Sequence, residues 1–290
     1  MKKSFLYIIL AATGWGITGI FVSYFEKLGL STAFVSAARP FLSAVIIGIW
    51  LIITDKSAFY IKLRDVWVFI GTGICSFSFF TYCYYTSITK NGMAVAAVLL
   101  YTAPVFVALL SNLFFKTGFT KYKVFALVLS FAGCALVSEI FNAQYRISTI
   151  GILSGLGSGI GYALYTIFSE FAIRKGYKSE TISFYTFAFA SIVTVPIALY
   201  GGLPQNISYS QLSVWLILFA IITAVGPYLL YTKGLEGIEP SMAAISATFE
   251  PLVAAFLGVL ILNETPTFSK ILGILFILSS LIVAGKQKES

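Results

Sequence analysis

Residues 93–115 read MAVAAVLLYTAPVFVALLSNLFF, 23 residues without a charge and with one proline near the middle. At about 1.5 Å per residue a helix of this length runs about 34 Å, enough to cross about 30 Å of hydrocarbon. Lipid offers no partner to backbone N–H and C=O groups, so a run of this kind spans as a helix that pairs them internally. The pattern returns 147 residues later: residues 241–262 read SMAAISATFEPLVAAFLGVLIL, with Pro251 in the place of Pro104 and a single charge, Glu250.

Working outward, apolar windows near 5–25, 32–53, 66–88, 124–139, 149–169, 181–200, 212–232 and 269–285 complete a set of ten predicted spans, numbered here in chain order. Hydrophobic residues make up 59% of the 290 and charged ones 10%, against about 45–50% and about 25% in soluble domains. A soluble enzyme is thereby excluded, and the connecting segments are too short for a separate folded domain. The net charge of +8 is scattered in small groups between spans, which argues against nucleic acid as a partner. Met1-Lys2-Lys3 before an apolar run imitates a secretory leader. Gly14, Trp15 and Gly16 lead on to Phe21 without a cleavage site, so it reads as a retained first span. With the amino terminus inside, 14 Lys and Arg fall in inner segments and 4 in outer ones, Arg39 lying within span 2. This bias places both termini in the cytoplasm and the chain, multi-pass, in the plasma (inner) membrane. The chain has no His, and its three Cys lie in apolar stretches, so neither a metal nor another cofactor is expected.

The halves match at a nearly constant shift. Trp15 and Tyr162, Tyr84 and Tyr231, Pro104 and Pro251, and Lys123 and Lys270 are each 147 apart, while Trp67 and Trp215 differ by 148. We divide the chain into repeats 1–145 and 146–290, each of five spans. Five is odd, so the second copy enters from the opposite side and the fold is an all-α, ten-helix 5+5 inverted repeat. Two such halves around a midplane site can rock between two openings, which is the architecture of an alternating-access carrier.

Trp15-Gly16, Ala38-Arg39, Ala103-Pro104-Val105-Phe106, Phe249-Glu250-Pro251 and Asn263-Glu264 occur in the order in which the EamA family of the drug/metabolite transporter superfamily carries them, and the chain resembles that family over its whole length. The resemblance implies a ten-helix carrier, commonly an exporter of amino acids or other small metabolites. Two departures stand out: Thr117 corresponds to Glu264, and Arg39 precedes a proline, Pro40, rather than an aromatic residue.

Glu250 is nine residues into its span, about 13 Å deep and close to the midplane. A charge there costs about 2.5–3.5 kcal/mol on insertion scales, so it faces the bundle interior, as a proton-coupling or amine-binding carboxylate or as a structural partner of Arg39. Arg39, about 10 Å from the outer edge, can fork onto a substrate carboxylate, pair with Glu250, or bridge helices. Pro104 and Pro251 interrupt corresponding spans, the best sequence pointer to a transport site; Pro196 and Pro227 read rather as shaping packing. Trp15, Tyr101 and Tyr162 lie near span centres, where a ring can stack on an apolar substrate or cover an ammonium. Gly14-Trp15-Gly16-Ile17-Thr18-Gly19 matches a dinucleotide fingerprint, but no strand precedes it. The glycines at 155, 157, 159 and 161 read as a close-packing stripe. Asn206-Ile207-Ser208 fits a glycosylation acceptor without a context for it.

The functional reading is a secondary-active carrier of small metabolites, with lipid and a small-molecule substrate as partners and protons as the candidate coupling ion. No phosphate-binding loop supports an ATPase. An uncoupled facilitator is the alternative. An intramembrane enzyme is a weaker one, since no His, paired aspartates or nucleophile with a base is present.

Overall fold

The computed structural model describes residues 2–140, 148–200, 209–262, 265 and 267–286. Among them there is no strand, and nine helical segments are long and apolar enough to cross a membrane. The remaining span, Lys121–Val137, is a shorter helix of 17 residues. Span 6, Thr149–Arg174, runs more than a turn beyond its sequence window, while span 2 (Thr32–Thr54), span 7 (Ser179–Tyr200) and span 10 (Phe268–Lys286) exceed theirs by one or two residues. The added residues include polar and charged ones such as Thr54, Arg174 and Glu180, which a hydropathy window leaves out but which a helix end carries towards water. Large apolar side chains such as Leu113, Phe125, Ile192 and Ile282 stand on the outside of the bundle, where lipid replaces a protein partner.

Five spans are not regular helices, and in four of them, spans 3, 4, 8 and 9, the irregularities recur at the repeat distance. Span 4 is broken into Met93–Leu100 and Ala103–Phe115, and span 9 into Pro240–Ala247 and Phe249–Leu262. At each break a threonine hydroxyl folds back on the carbonyl three residues earlier, Thr102 on Leu99 and Thr248 on Ile245, both at 2.6 Å. Pro104 and Pro251 sit in the first turn of the second segment, where a helix N–H has no intrahelical partner to lose. Span 3 (Val66–Asn91) and span 8 (Tyr209–Leu235) contain π-helical turns at Gly71–Ser78 and Ile221–Val225, which end 147 residues apart. Span 1 bends at Ile17 between Lys2–Gly16 and Thr18–Lys27. Both span 1 and span 6 are followed by a glycine of positive φ, Gly29 at +74° and Gly176 at +87°, a backbone that side chains disfavour.

Packing repeats the same relation. Span 1 lies on span 8 with Gly14 against Pro227, and span 6 lies on span 3 with Gly161 against Phe80, which are the corresponding residues. Spans 5 and 10 cross where a Cβ on Gly133 would come 2.8 Å from the Gly273 carbonyl oxygen, and spans 2 and 7 pair in the same self-matching way. Trp15 and its counterpart Tyr162 meet edge to face at 5.9 Å, so the two-fold axis passes close to them.

Candidate functional site

A cavity of about 510 Å³ lies between the halves, within the size range of small-molecule sites. Of the residues singled out from the sequence, Trp15, Arg39, Tyr101, Tyr162, Glu250 and Pro251 line it. Pro104 is buried behind the wall and does not line it, so the proline match marks the broken span without placing both prolines at the site.

Glu250 enters the wall through the break in span 9. Gly16 of span 1 allows the close approach, since a Cβ there would meet the Glu250 carbonyl oxygen at 2.8 Å. Its carboxylate forms no hydrogen bond or ion pair among the described residues; Arg39 is the charged side chain whose field acts on it. Its own field reaches Tyr84, Tyr101, Tyr162 and Tyr228 around the cavity.

Arg39 is held by span 8. Its Nη2 donates to the Thr223 carbonyl, and its guanidinium lies 5.7 Å from the Phe219 ring centre and 6.0 Å from that of Phe77. The α-helical partner of that carbonyl would be the N–H of residue 227, which is proline. Pro227 therefore does more than shape packing, because it leaves an acceptor that fixes Arg39. Arg39 Nε and Trp15 Nε1 are buried donors without a hydrogen-bond partner among the described residues. Buried polar groups are rarely left so, which makes these two donors candidates for an acceptor carried by a ligand.

The two ends of the bundle differ. We call the end that carries the amino terminus the terminal end; there Ser4 lies beside Gly234 and Gly237. Below the cavity floor on that side, Trp15, Tyr165, Tyr228, Tyr231 and Phe187 form a packed cluster. Hydrogen bonds Tyr165 Oη to Thr232 Oγ1 and Thr166 Oγ1 to Tyr231 Oη, both 2.8 Å, lock it. Beyond it, Lys123 meets Glu239 at 2.5 Å, Lys175 meets Asp65 at 2.7 Å and Lys178 meets Asp55 at 2.6 Å. The hydrogen bond from Lys178, seconded by Ser57, holds the Asp55 carboxyl at about 2, well below its ordinary value.

At the distal end the cavity reaches Ile88, Met93, Glu139 and Lys270, and Met93 is 67% exposed. Lys270 meets Glu139 at 3.2 Å, and Thr267 donates to Glu139 at 2.6 Å. The site is thus open at one end and sealed by an aromatic, hydrogen-bonded layer at the other. From the sequence, Lys270 counts among the four outer basic residues, at the start of span 10, and Glu139 is not singled out. Phe77 and Phe80 had no signal beyond apolarity. The family residue Glu264 and the acceptor Asn206 lie outside the described residues. Cys83 and Cys134 are buried and Cys75 is exposed, all three as free thiols.

Comparison with known proteins agrees with this architecture. The model of the EamA-like transporter family matches residues 2–139 and again 149–285. A protein named Uncharacterized transporter YwfM from Bacillus subtilis is 27% identical over 292 residues, covering 98% of this chain and 96% of that one. Uncharacterized inner membrane transporter YicL of Salmonella typhimurium is 24% identical over 286 residues, covering 97% and 95%. A solved crystal structure superposes with a TM-score of 0.82 at 15% identity, covering 100% of this chain and 98% of that one, which shows a shared fold.

Proposed function

Because the chain belongs to the EamA-like transporter family, and so is a multi-pass membrane transporter, we propose that it is a secondary-active, proton-coupled carrier that exports small zwitterionic metabolites such as amino acids. The observation that carries this reading is that Glu250 and Arg39, one from each half, line the same cavity, with the charge of Arg39 acting on Glu250 and no direct bond joining them among the described residues. A zwitterion fits between them: its carboxylate takes the free donors of Arg39 and Trp15, and its ammonium faces Glu250 and the tyrosine rings. When the cavity closes without substrate, a carboxylate at this depth needs another cation, and a proton is the smallest available. Export rests on the family resemblance and on exchange, in which an inward proton gradient drives substrate outward; with the terminal end cytoplasmic, a reading that the 14 to 4 bias of basic residues supports, the proton enters from the distal side.

The test is reconstitution into liposomes that enclose a pH-sensitive dye, with a panel of labelled amino acids, amines and acids, for wild type and Glu250→Gln. Uptake accompanied by proton movement in the wild type and not in Glu250→Gln is the expected result. Uptake without proton movement in both would make the chain a facilitator and Glu250 structural, and a product of changed mass would reopen the enzymatic alternative.

A further inference from the structure

The inverted repeat permits a further step, which rests on the alternating-access reading above. If the halves exchange roles, the residues that seal the terminal end should have counterparts, 147 positions earlier, that seal the distal end in the other conformation. The lock residues Tyr165, Thr166, Tyr228, Tyr231 and Thr232 correspond to Thr18, Gly19, Thr81, Tyr84 and Tyr85. All five counterparts line the open cavity, and a Cβ on Gly19 would meet nothing within 4 Å. They stand where a gate would stand when open.

One pair retains its chemistry across the repeat with the residues exchanged. The terminal lock joins Tyr165 of span 6 to Thr232 of span 8 by their hydroxyls at 2.8 Å. Its counterpart joins Thr18 of span 1 to Tyr85 of span 3, again a threonine and a tyrosine, with the long side chain now on the other helix. The reach of the pair is unchanged, because a tyrosine on one helix and a threonine on the other bridge the same gap in either order. The second lock bond, Thr166 to Tyr231, has Gly19 and Tyr84 as its counterparts and cannot form in the same way. Neither Thr18 nor Tyr85 is hydrogen-bonded to the other in this conformation.

We propose that Thr18 and Tyr85 are the gate of the distal end, closing the cavity through a hydroxyl to hydroxyl hydrogen bond when the Tyr165–Thr232 and Thr166–Tyr231 lock opens. The two gates are then unequal, with one such bond on the distal side and two on the terminal side. That inequality accounts for the distally open form seen here.

The experiment uses the full-length chain in membranes with Cys75→Ser, Cys83→Ala and Cys134→Ala. Ser36→Cys, on the cavity wall, reports distal opening through its rate of labelling by a membrane-impermeant maleimide. Tyr165→Phe together with Tyr231→Phe removes both lock bonds and should lower this rate roughly tenfold, the shift that two ordinary hydrogen bonds produce in a two-state equilibrium. In that lock-broken background, Thr18→Val and Tyr85→Phe should each restore labelling several-fold, and the double variant should do no more than either alone. In parallel, Thr18→Cys with Tyr85→Cys should be joined by a short bifunctional thiol reagent, faster when the lock is broken. If labelling falls on breaking the lock and Thr18→Val and Tyr85→Phe leave it low, the gate proposal is overturned while alternating access stands. If breaking the lock changes neither labelling nor cross-linking, both are overturned.

Discussion

Spans 4 and 9 are broken at the same place in their repeats, yet only one break carries a charge: Ala103 occupies the position that Glu250 occupies in the second copy. Span 2 carries Arg39 where span 7 carries Thr186. The surroundings differ accordingly. Glu250 and Arg39 face the cavity, whereas Ala103 is 2% exposed and Thr186 fully buried, its hydroxyl bonded to Thr72 at 2.8 Å. Duplication has kept the frame, with its paired breaks, π-turns and close helix contacts, while each copy supplies one charge of opposite sign, Arg39 from the first and Glu250 from the second. A doubled frame gives two openings around one site, and a doubled charge pair would give that site two competing poses.

The comparison breaks most severely if a carboxylate is placed at the break of the first copy. Ala103→Glu forces a carboxylate into packed helices beside Gly159 and should destabilise the protein by about 3 kcal/mol or more, seen as lost expression or a melting temperature lowered by many degrees. A well-folded Ala103→Glu carrier would mean that the two breaks are interchangeable. Arg39→Met strips the Thr223 carbonyl of its guanidinium partner and should cost about 1–3 kcal/mol of thermal stability along with substrate binding. Arg39→Lys should restore part of the stability without the binding, because an ammonium cannot serve the carbonyl and a substrate carboxylate as a guanidinium fork does. Its counterpart Thr186→Val should cost about 1 kcal/mol and leave transport nearly intact; a strong transport defect there would show that both copies do chemistry.

The corresponding lysines sharpen the contrast between the ends. Lys123 is fully buried and paired with a Glu239 that is one quarter exposed, so Lys123→Met should cost about 2 kcal/mol, less than for a wholly buried pair, and Lys270→Met less again. The smallest effect concerns Asp55. Its carboxyl titrates at about 2 in the folded chain against 3.8 ordinarily, so its contribution is present above about pH 4 and is lost as pH falls towards 2. Melting curves of Asp55→Asn should show a shallower loss of stability over that window than the wild type, and identical curves would remove the pair from the account.

How far this was legible in the sequence follows from what each feature costs. A charge-free run of 23 residues can only span a membrane, so the helices and their inversion could be read from composition and spacing. Trp15, Tyr101, Tyr162, Arg39, Glu250 and Pro251 reached the cavity wall because polar or aromatic groups at midplane depth gain from an interior position. Pro104 did not, since a proline records a broken helix and not the direction in which the break faces. The π-turns were not legible: inserting one residue into a turn leaves no signature in an apolar run. The role of Pro227 was hidden for the same reason, because a freed carbonyl is useful only where another helix brings a donor to it.

The account stands on one cavity that opens to each side in turn. Ala254→Cys, on the same wall as Glu250, in the cysteine-free chain tests this most directly, by labelling with a membrane-impermeant maleimide in right-side-out and in inside-out vesicles, with and without the Tyr165→Phe and Tyr231→Phe lock variants. The account predicts labelling from the distal side in the wild type, and a shift towards the terminal side when the lock is removed. Labelling from the distal side alone in every case would contradict it.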